Sequence, residues 1–134
     1  MPNQDPIPTS GWRRAREAAA DLCAAFRDIG MPEQDVKKIQ RGNADDARSI
    51  YVATITRRSA ELLCRHLADG QPLRGTPAAR TREVLTRLGV PGSDIAAITD
   101  RQDLTGGEYV HLGTISLRGV EKILTGLSQR ESVA

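Results

Sequence analysis

Side chains able to do chemistry are few in this chain. The two histidines, His66 and His111, belong to no cysteine or carboxylate pattern with metal-site spacing. The two cysteines, Cys23 and Cys64, stand 41 residues apart in apolar helical patterns, which reads as two reduced, structural thiols. No serine occupies a nucleophile elbow. Gly30-Met31-Pro32 is too short, and too stiff at its proline, to cradle a phosphate. A catalytic site needs a convergent constellation. The one on offer is Tyr51, Tyr109 and His111, which would have to meet in a deep polar pocket. No catalytic, cofactor-binding or metal-binding residue is assigned from the sequence, and no cofactor is expected.

What remains is anion chemistry. Arg57, Arg58 and Arg118 stand at the start of helical patterns, where the helix dipole disfavours a cation. Such residues either hold an anion with the helix N-terminus or pair with a carboxylate one turn on, here Glu61 and Glu121. Lys37 and Lys38, followed by Arg41, lie in the second helix of a helix-Gly-Pro-helix element, where a helix-turn-helix protein would carry its reading helix. The corresponding later element has Ala96 and Ala97 instead of the lysines, and these have no reach to base edges. Arg57, Arg58, Arg118, Lys37 and Lys38 are thus the candidate anion or nucleic-acid contacts. A DNA-binding reading requires them on one face. Asp35 and Asp94 each fall in the first turn of a short helix, where a carboxylate complements the dipole.

The elements that must position these residues occur twice. Ile29-Gly30-Met31-Pro32, with Asp35, Val36 and Ile39, matches Leu88-Gly89-Val90-Pro91, with Asp94, Ile95 and Ile98, at an offset of 59. Thr54-Ile55-Thr56 with Arg58 and Glu61 matches Thr114-Ile115-Ser116 with Arg118 and Glu121 at an offset of 60, and Tyr51-Val52 answers Tyr109-Val110. The expected fold is mostly α, of α+β type, from tandem duplication of an α-α-β-α unit. Residues 1–9 are expected as a disordered tail, 10–69 as the first copy, 70–75 as a linker, 76–128 as the second copy and 129–134 as a C-terminal tail.

Within each copy the spacing gives a physical reading. Trp12, Ala15, Ala19, Leu22, Phe26 and Ile29 recur on one helical face, with Ser10 as the expected N-cap. Thr76 and Pro77 open the matching helix, whose stripe is Ala78, Thr81, Leu85 and Leu88 with Val84 beside it. Both helices stop at glycine, Gly30 or Gly89. After the short second helix comes a polar stretch, 41–49 or 99–108, and then a β-prone run, Ile50 to Ile55 or Tyr109 to Ile115. The extra residues of the second run suggest a bulge at Gly113. A last helix follows, capped by Thr56 or Ser116. Its apolar face is Ala60, Leu63 and Leu67 in one copy, and Val120, Ile123 or Leu124, and Leu127 in the other. A lone strand would leave its backbone unpaired. The two strands are therefore expected to pair as an antiparallel ribbon about a pseudo-twofold axis, with two separate units as the alternative. The strand-then-helix order resembles the start of a ribbon-helix-helix protein, in which outward ribbon side chains read the major groove. Here those positions are Tyr51 and Ala53 or Val52 and Thr54, with Tyr109, His111 and Gly113 or Val110 and Leu112. Neither set is rich in Arg, Lys, Asn or Gln, and the second helix is missing, so no residue is carried over from that family.

Composition bounds the function. Apolar residues make up 39% and charged residues 27% of the 134, which is globular rather than disordered. Net charge is +2, and neither side of Gly70 is strongly basic, so no broad nucleic-acid patch is demanded. Arginine far outnumbers lysine, the bias of a GC-rich genome. The first ten residues hold no apolar signal-peptide core, no run is long enough to span a membrane, and a cytoplasmic location is expected. The expected function is non-catalytic binding or regulation through protein–protein contacts. A small DNA-binding regulator is the alternative, and a small enzyme the second alternative. The expected partner is another protein, with nucleic acid or a second copy of the chain after it.

Overall fold

The computed structural model describes the backbone of residues 6–39, 49–68 and 70–133, and the side chains of 13–39, 49–52, 54–68 and 70–128. Helix α1 (Pro6–Asp28) buries the stripe Ala15, Ala18, Ala19, Leu22 and Phe26. It opens at Pro6, so Ser10 lies inside it and is not its N-cap, and residues 6–9 are helix rather than tail. Its end is a Schellman closure: Gly30 takes φ +93, and the Met31 amide donates back to the Phe26 carbonyl at 3.0 Å. Short α2 (Glu33–Val36) begins behind Pro32 and buries Val36.

Strand β1 (Ser49–Thr56) leads directly into α3 (Arg57–Ala68), which buries Ala60, Leu63, Cys64 and Leu67. Helix α4 (Pro77–Leu88) starts at the N-cap Thr76, whose hydroxyl accepts from the Ala79 amide at 3.3 Å. It ends as α1 does, with Gly89 at φ +91 and the Val90 amide bonded to the Leu85 carbonyl at 3.1 Å. After α5 (Gly92–Ile95) come β2 (Thr99–Gln102), β3 (Glu108–Ser116) and α6 (Leu117–Val133). In α6 the inward residues are Val120, Ile123 and Leu127, with Leu124 partly buried. It carries on through 129–133, which were expected as tail.

The protein is mixed helix and sheet. Its antiparallel sheet has the order β1-β3-β2. The expected ribbon is formed by β1 and β3, with Thr56 opposite Tyr109 at one end and Ser49 opposite Ser116 at the other. Strand β2 corrects the sequence reading, which left Thr99 to Glu108 as a polar stretch: Thr99 to Gln102 pair with His111 to Glu108. All four β2 residues are exposed, so no apolar alternation marked it. The matching stretch 41–49 lies, apart from Ser49, outside the described residues.

One core takes residues from both halves. Ile50, Val52 and Ile55 of β1 and Val110, Leu112 and Ile115 of β3 pack against α1, α3, α4 and α6. With β1 bonded to β3 across this core, the alternative of two separate units does not describe the molecule. Among the described residues no helix is long and apolar enough to cross a membrane.

Candidate functional site

Two aspartates fix the ends of the ribbon. Asp35, fully buried, accepts from the Thr56 amide at 3.2 Å, the Thr56 hydroxyl at 2.7 Å and the Ser59 hydroxyl. Asp94 accepts from the Ser116 amide at 3.1 Å and its hydroxyl at 2.6 Å. Thr56 and Ser116 in turn cap the long helices, accepting from the amides of Ser59 at 3.3 Å and Gly119 at 3.1 Å. Each carboxylate therefore fastens a short helix to the start of a long one. This goes beyond the dipole role read from the sequence. It was foreshadowed only by the shared Asp and the shared Thr/Ser some twenty positions later.

With the ends fixed, one face of the sheet meets the helices, and among the described residues the other is an open face that leaves Tyr51, Thr99, Arg101 and Thr114 exposed, as antiparallel sheets allow. The register shifts twice, between Tyr51 and Ala53 and between Ala53 and Thr54, with Gly113 at φ +71 opposite Ala53. This is the bulge expected at Gly113. It changes which side chains point outward. The sequence offered Tyr51 and Ala53 or Val52 and Thr54, but among the described side chains the outward residues are Tyr51 and Thr54, one from each set, while Val52 is buried. From β3 they are Tyr109, His111 and Thr114, and from β2 Thr99 and Arg101, which pair with His111 and Tyr109.

Polar contacts orient this face. Thr54 Oγ1 and His111 Nδ1 share a hydrogen bond at 3.0 Å. Burial, and then the charge of Arg101, holds the His111 pKa below its ordinary value, so the ring is neutral at pH 7. Tyr109 donates its hydroxyl to Asp103 at 3.1 Å, and Lys38 lies over its ring, 5.6 Å from the centroid. Asp103 organises the hairpin turn by accepting from the amides of Thr105 at 2.9 Å and Gly107 at 2.7 Å and from the Thr105 hydroxyl at 2.8 Å. The Thr105 hydroxyl first, and then the Gly107 amide, push the Asp103 pKa down. That turn presents Leu104 fully to solvent.

The five candidate cations are not gathered on one surface. Lys38 reaches the open face at the Thr56 end, held also 3.6 Å from Asp35 Oδ1. Arg57, at the same end, is occupied by Glu108 at 2.6 Å and Glu61 at 3.1 Å. Lys37 lies exposed in the turn after α2. Arg118 follows Ser116, at the opposite end of the ribbon, about 20 Å away for strands of this length. The expected pairs Arg58–Glu61 and Arg118–Glu121 do not form. Glu61 takes Arg57, and Glu121 takes Arg14 of α1 at 2.8 Å. Arg58 and Arg118 are exposed and have no ion pair among the described residues. Nor does α2 serve as a reading helix. It has four residues, and Lys37 and Lys38 lie beyond its end, while Arg41 is outside the described residues.

Tyr51, Tyr109 and His111 do not come together in any groove found among the described residues. Tyr109 and Arg101 border a half-open groove of about 460 Å³ with Arg57, Asp100 and Glu108, but Tyr51 and His111 lie along the open face. A second groove of about 490 Å³ runs between α3 and α4 past Cys64, whose thiol burial pushes up in pKa, as it does that of Cys23. Both cysteines are free. Neither family models, nor curated proteins, nor solved structures gave a match to this chain.

Proposed function

We propose that this is a non-catalytic binding or regulatory protein that works by contact through the open face of its sheet. The observation that carries the reading is the asymmetry of that sheet. One face is sealed by four helices, while the other leaves Tyr51 40% exposed in a row with Tyr109 and His111. A tyrosine presented on a strand fixed from behind by a packed core is the kind of side chain that anchors a partner at a contact surface.

The scaffold is, on this reading, a tandem duplication of an α-α-β-α unit about a pseudo-twofold axis through the ribbon. Supporting it are the paired glycine closures at Gly30 and Gly89, the paired prolines Pro32 and Pro91, and the paired clamps from Asp35 and Asp94. The axis would pass near the Ala53–Gly113 pair.

Photo-crosslinking tests the contact surface. A benzophenone side chain at the outward position Thr114 should give adducts in cells. The same group at Arg65, exposed on α3, should not. Adducts from Arg65 alone, or from neither position, would remove the open face from consideration. A protein partner, a nucleic acid and a second copy of the chain are told apart by the adduct's mass and nuclease sensitivity.

A further inference from the structure

We propose that Lys38 is a charge-dependent strap, a positioning residue that ties the hairpin joining β2 and β3 to the buried carboxylate of α2. This is a property of the fold and stands whether or not the open face takes a partner. The motive is a single oxygen. Asp35 is fully buried, and its Oδ2 takes all three hydrogen bonds of the clamp, two from Thr56 and one from Ser59. Its Oδ1 is buried too and accepts no hydrogen bond among the described residues. A carboxylate oxygen out of water and without a donor is costly unless a nearby charge offsets it. Lys38, three residues on, puts its ammonium 3.6 Å from that oxygen. This is too long for a hydrogen bond and close enough for the charge to act.

The other clamp is an internal comparison. Asp94 engages both oxygens, Oδ1 with the Ser116 amide and Oδ2 with the Ser116 hydroxyl. It makes no ion pair among the described residues, and the position three residues on is Ala97. The cation is present where the carboxylate has an unmet oxygen and absent where it has none. The same ammonium has a second contact, since it lies 5.6 Å from the centre of the Tyr109 ring, within range of a cation–π attraction. Tyr109 donates its hydroxyl to Asp103, which accepts from the Thr105 and Gly107 amides that shape the turn. One side chain thus joins buried carboxylate, ammonium, ring and turn in series. Both of its contacts depend on its charge. Removing that charge while keeping the length of the side chain releases the ring and leaves Oδ1 with nothing to offset it, so the hairpin and the Asp35 clamp loosen together. Asp35 is closed to solvent, but the Lys38 side chain is 41% exposed, which leaves the strap open to release from outside.

The test is amide hydrogen exchange followed by NMR on the full chain. Two sites report: the Thr56 amide, bonded to Asp35, and the Gly106 amide, bonded to the Asp103 carbonyl at 3.2 Å. Lys38→Met keeps the stem and removes the charge, and should speed exchange at both sites about fivefold, the worth of one such cation contact. Lys38→Arg keeps the charge and should hold both near the wild-type rate. The Ser116 amide, in the clamp without a cation, should not change in either variant. In an Asp35→Asn background, which has no charge to offset, Lys38→Met should leave the Thr56 amide within about twofold. In the unaltered protein, the Lys38 methylenes nearest the Tyr109 ring should be shifted upfield by it, a reading that needs no variant to fold. Unshifted methylenes, faster exchange at only one of the two sites or at neither, an arginine that fails as badly as methionine, or an undiminished effect in the Asp35→Asn background overturns the proposal.

Discussion

The two ends of the β1–β3 ribbon do the same job with different residues. At the Thr56 end, the carboxylate of Asp35 is reached by a serine hydroxyl, Ser59, from the first turn of α3. At the Ser116 end the matching place in α6 is Gly119. A side-chain carbon there would stand 2.6 Å from Asp94 Oδ2 and 2.8 Å from Ile115 Cγ2. One end ties its short helix down with an extra donor, and the other lets it approach by removing a side chain. The Thr56 end also collects Lys38, Tyr109, Arg57, Glu108 and the hairpin turn, whereas the Ser116 end has Arg118, which makes no ion pair among the described residues. The ribbon thus has one polar, cation-bearing end and one closely packed end.

The most severe way to break the comparison is to attack what the ends share. Leu63 of α3 and Ile123 of α6 are each 1% exposed beneath their clamps. Truncating either to Ala should cost about 3 kcal/mol. Urea unfolding measures this, and a silent substitution at either position means that its helix is not packed as described. Next come the clamps themselves. Asp35→Ala strands three donors, of which the Ser59 hydroxyl is buried, and should cost about 3 kcal/mol, against about 2 kcal/mol for Asp94→Ala with two donors from one residue. Equal losses would show that the Ser59 hydroxyl adds nothing.

Much of this framework was legible because it is local or periodic. The stripe from Ala15 to Phe26, the glycine stops, the Thr76, Thr56 and Ser116 caps and the bulge at Gly113 all follow from spacing and backbone chemistry. Pairing of the two β-prone runs followed from the need of each for a partner. The rest depends on contacts between distant residues. The clamp bonds span 21 to 24 residues, so a local reading saw Asp35 and Asp94 only against their own short helices. Strand β2 carries no apolar pattern and exists because β3 offers it an edge. The bulge divided the two outward sets, which strict alternation could not foresee. Glu61 took Arg57, four residues before it, rather than Arg58, three before, and Glu121 took Arg14 of α1 rather than Arg118, a partner that spacing along one helix does not reach.

A milder pair of substitutions sharpens the difference between the clamps. Gly119→Ala forces a methyl against Asp94 and Ile115 and should cost about 2 kcal/mol. Ser59→Ala removes one donor from a carboxylate that keeps Thr56, and should cost about 1 kcal/mol. The reverse ranking in thermal unfolding would mean that α6 can slide from α5, and that tight approach is not what distinguishes the Ser116 end.

The smallest effect concerns the hairpin turn, which belongs to the Thr56 end. Asp103 is exposed, so its bonds are screened by water and add little to global stability. Its pKa nevertheless lies below the ordinary 3.8, because the Thr105 hydroxyl and the Gly107 amide favour the ionised form. A depressed carboxylate stabilises the folded turn fully above the ordinary value, and that contribution is lost as pH falls through the lowered one. The amide resonances of Thr105 and Gly107 should therefore titrate together with a midpoint below 3.8, and Asp103→Asn should abolish the step. A midpoint at or above 3.8 would mean that these donors do not hold the carboxylate. Tyr109 would then lose the anchor that aims its ring, and the polar end of the ribbon would be no better organised than the other.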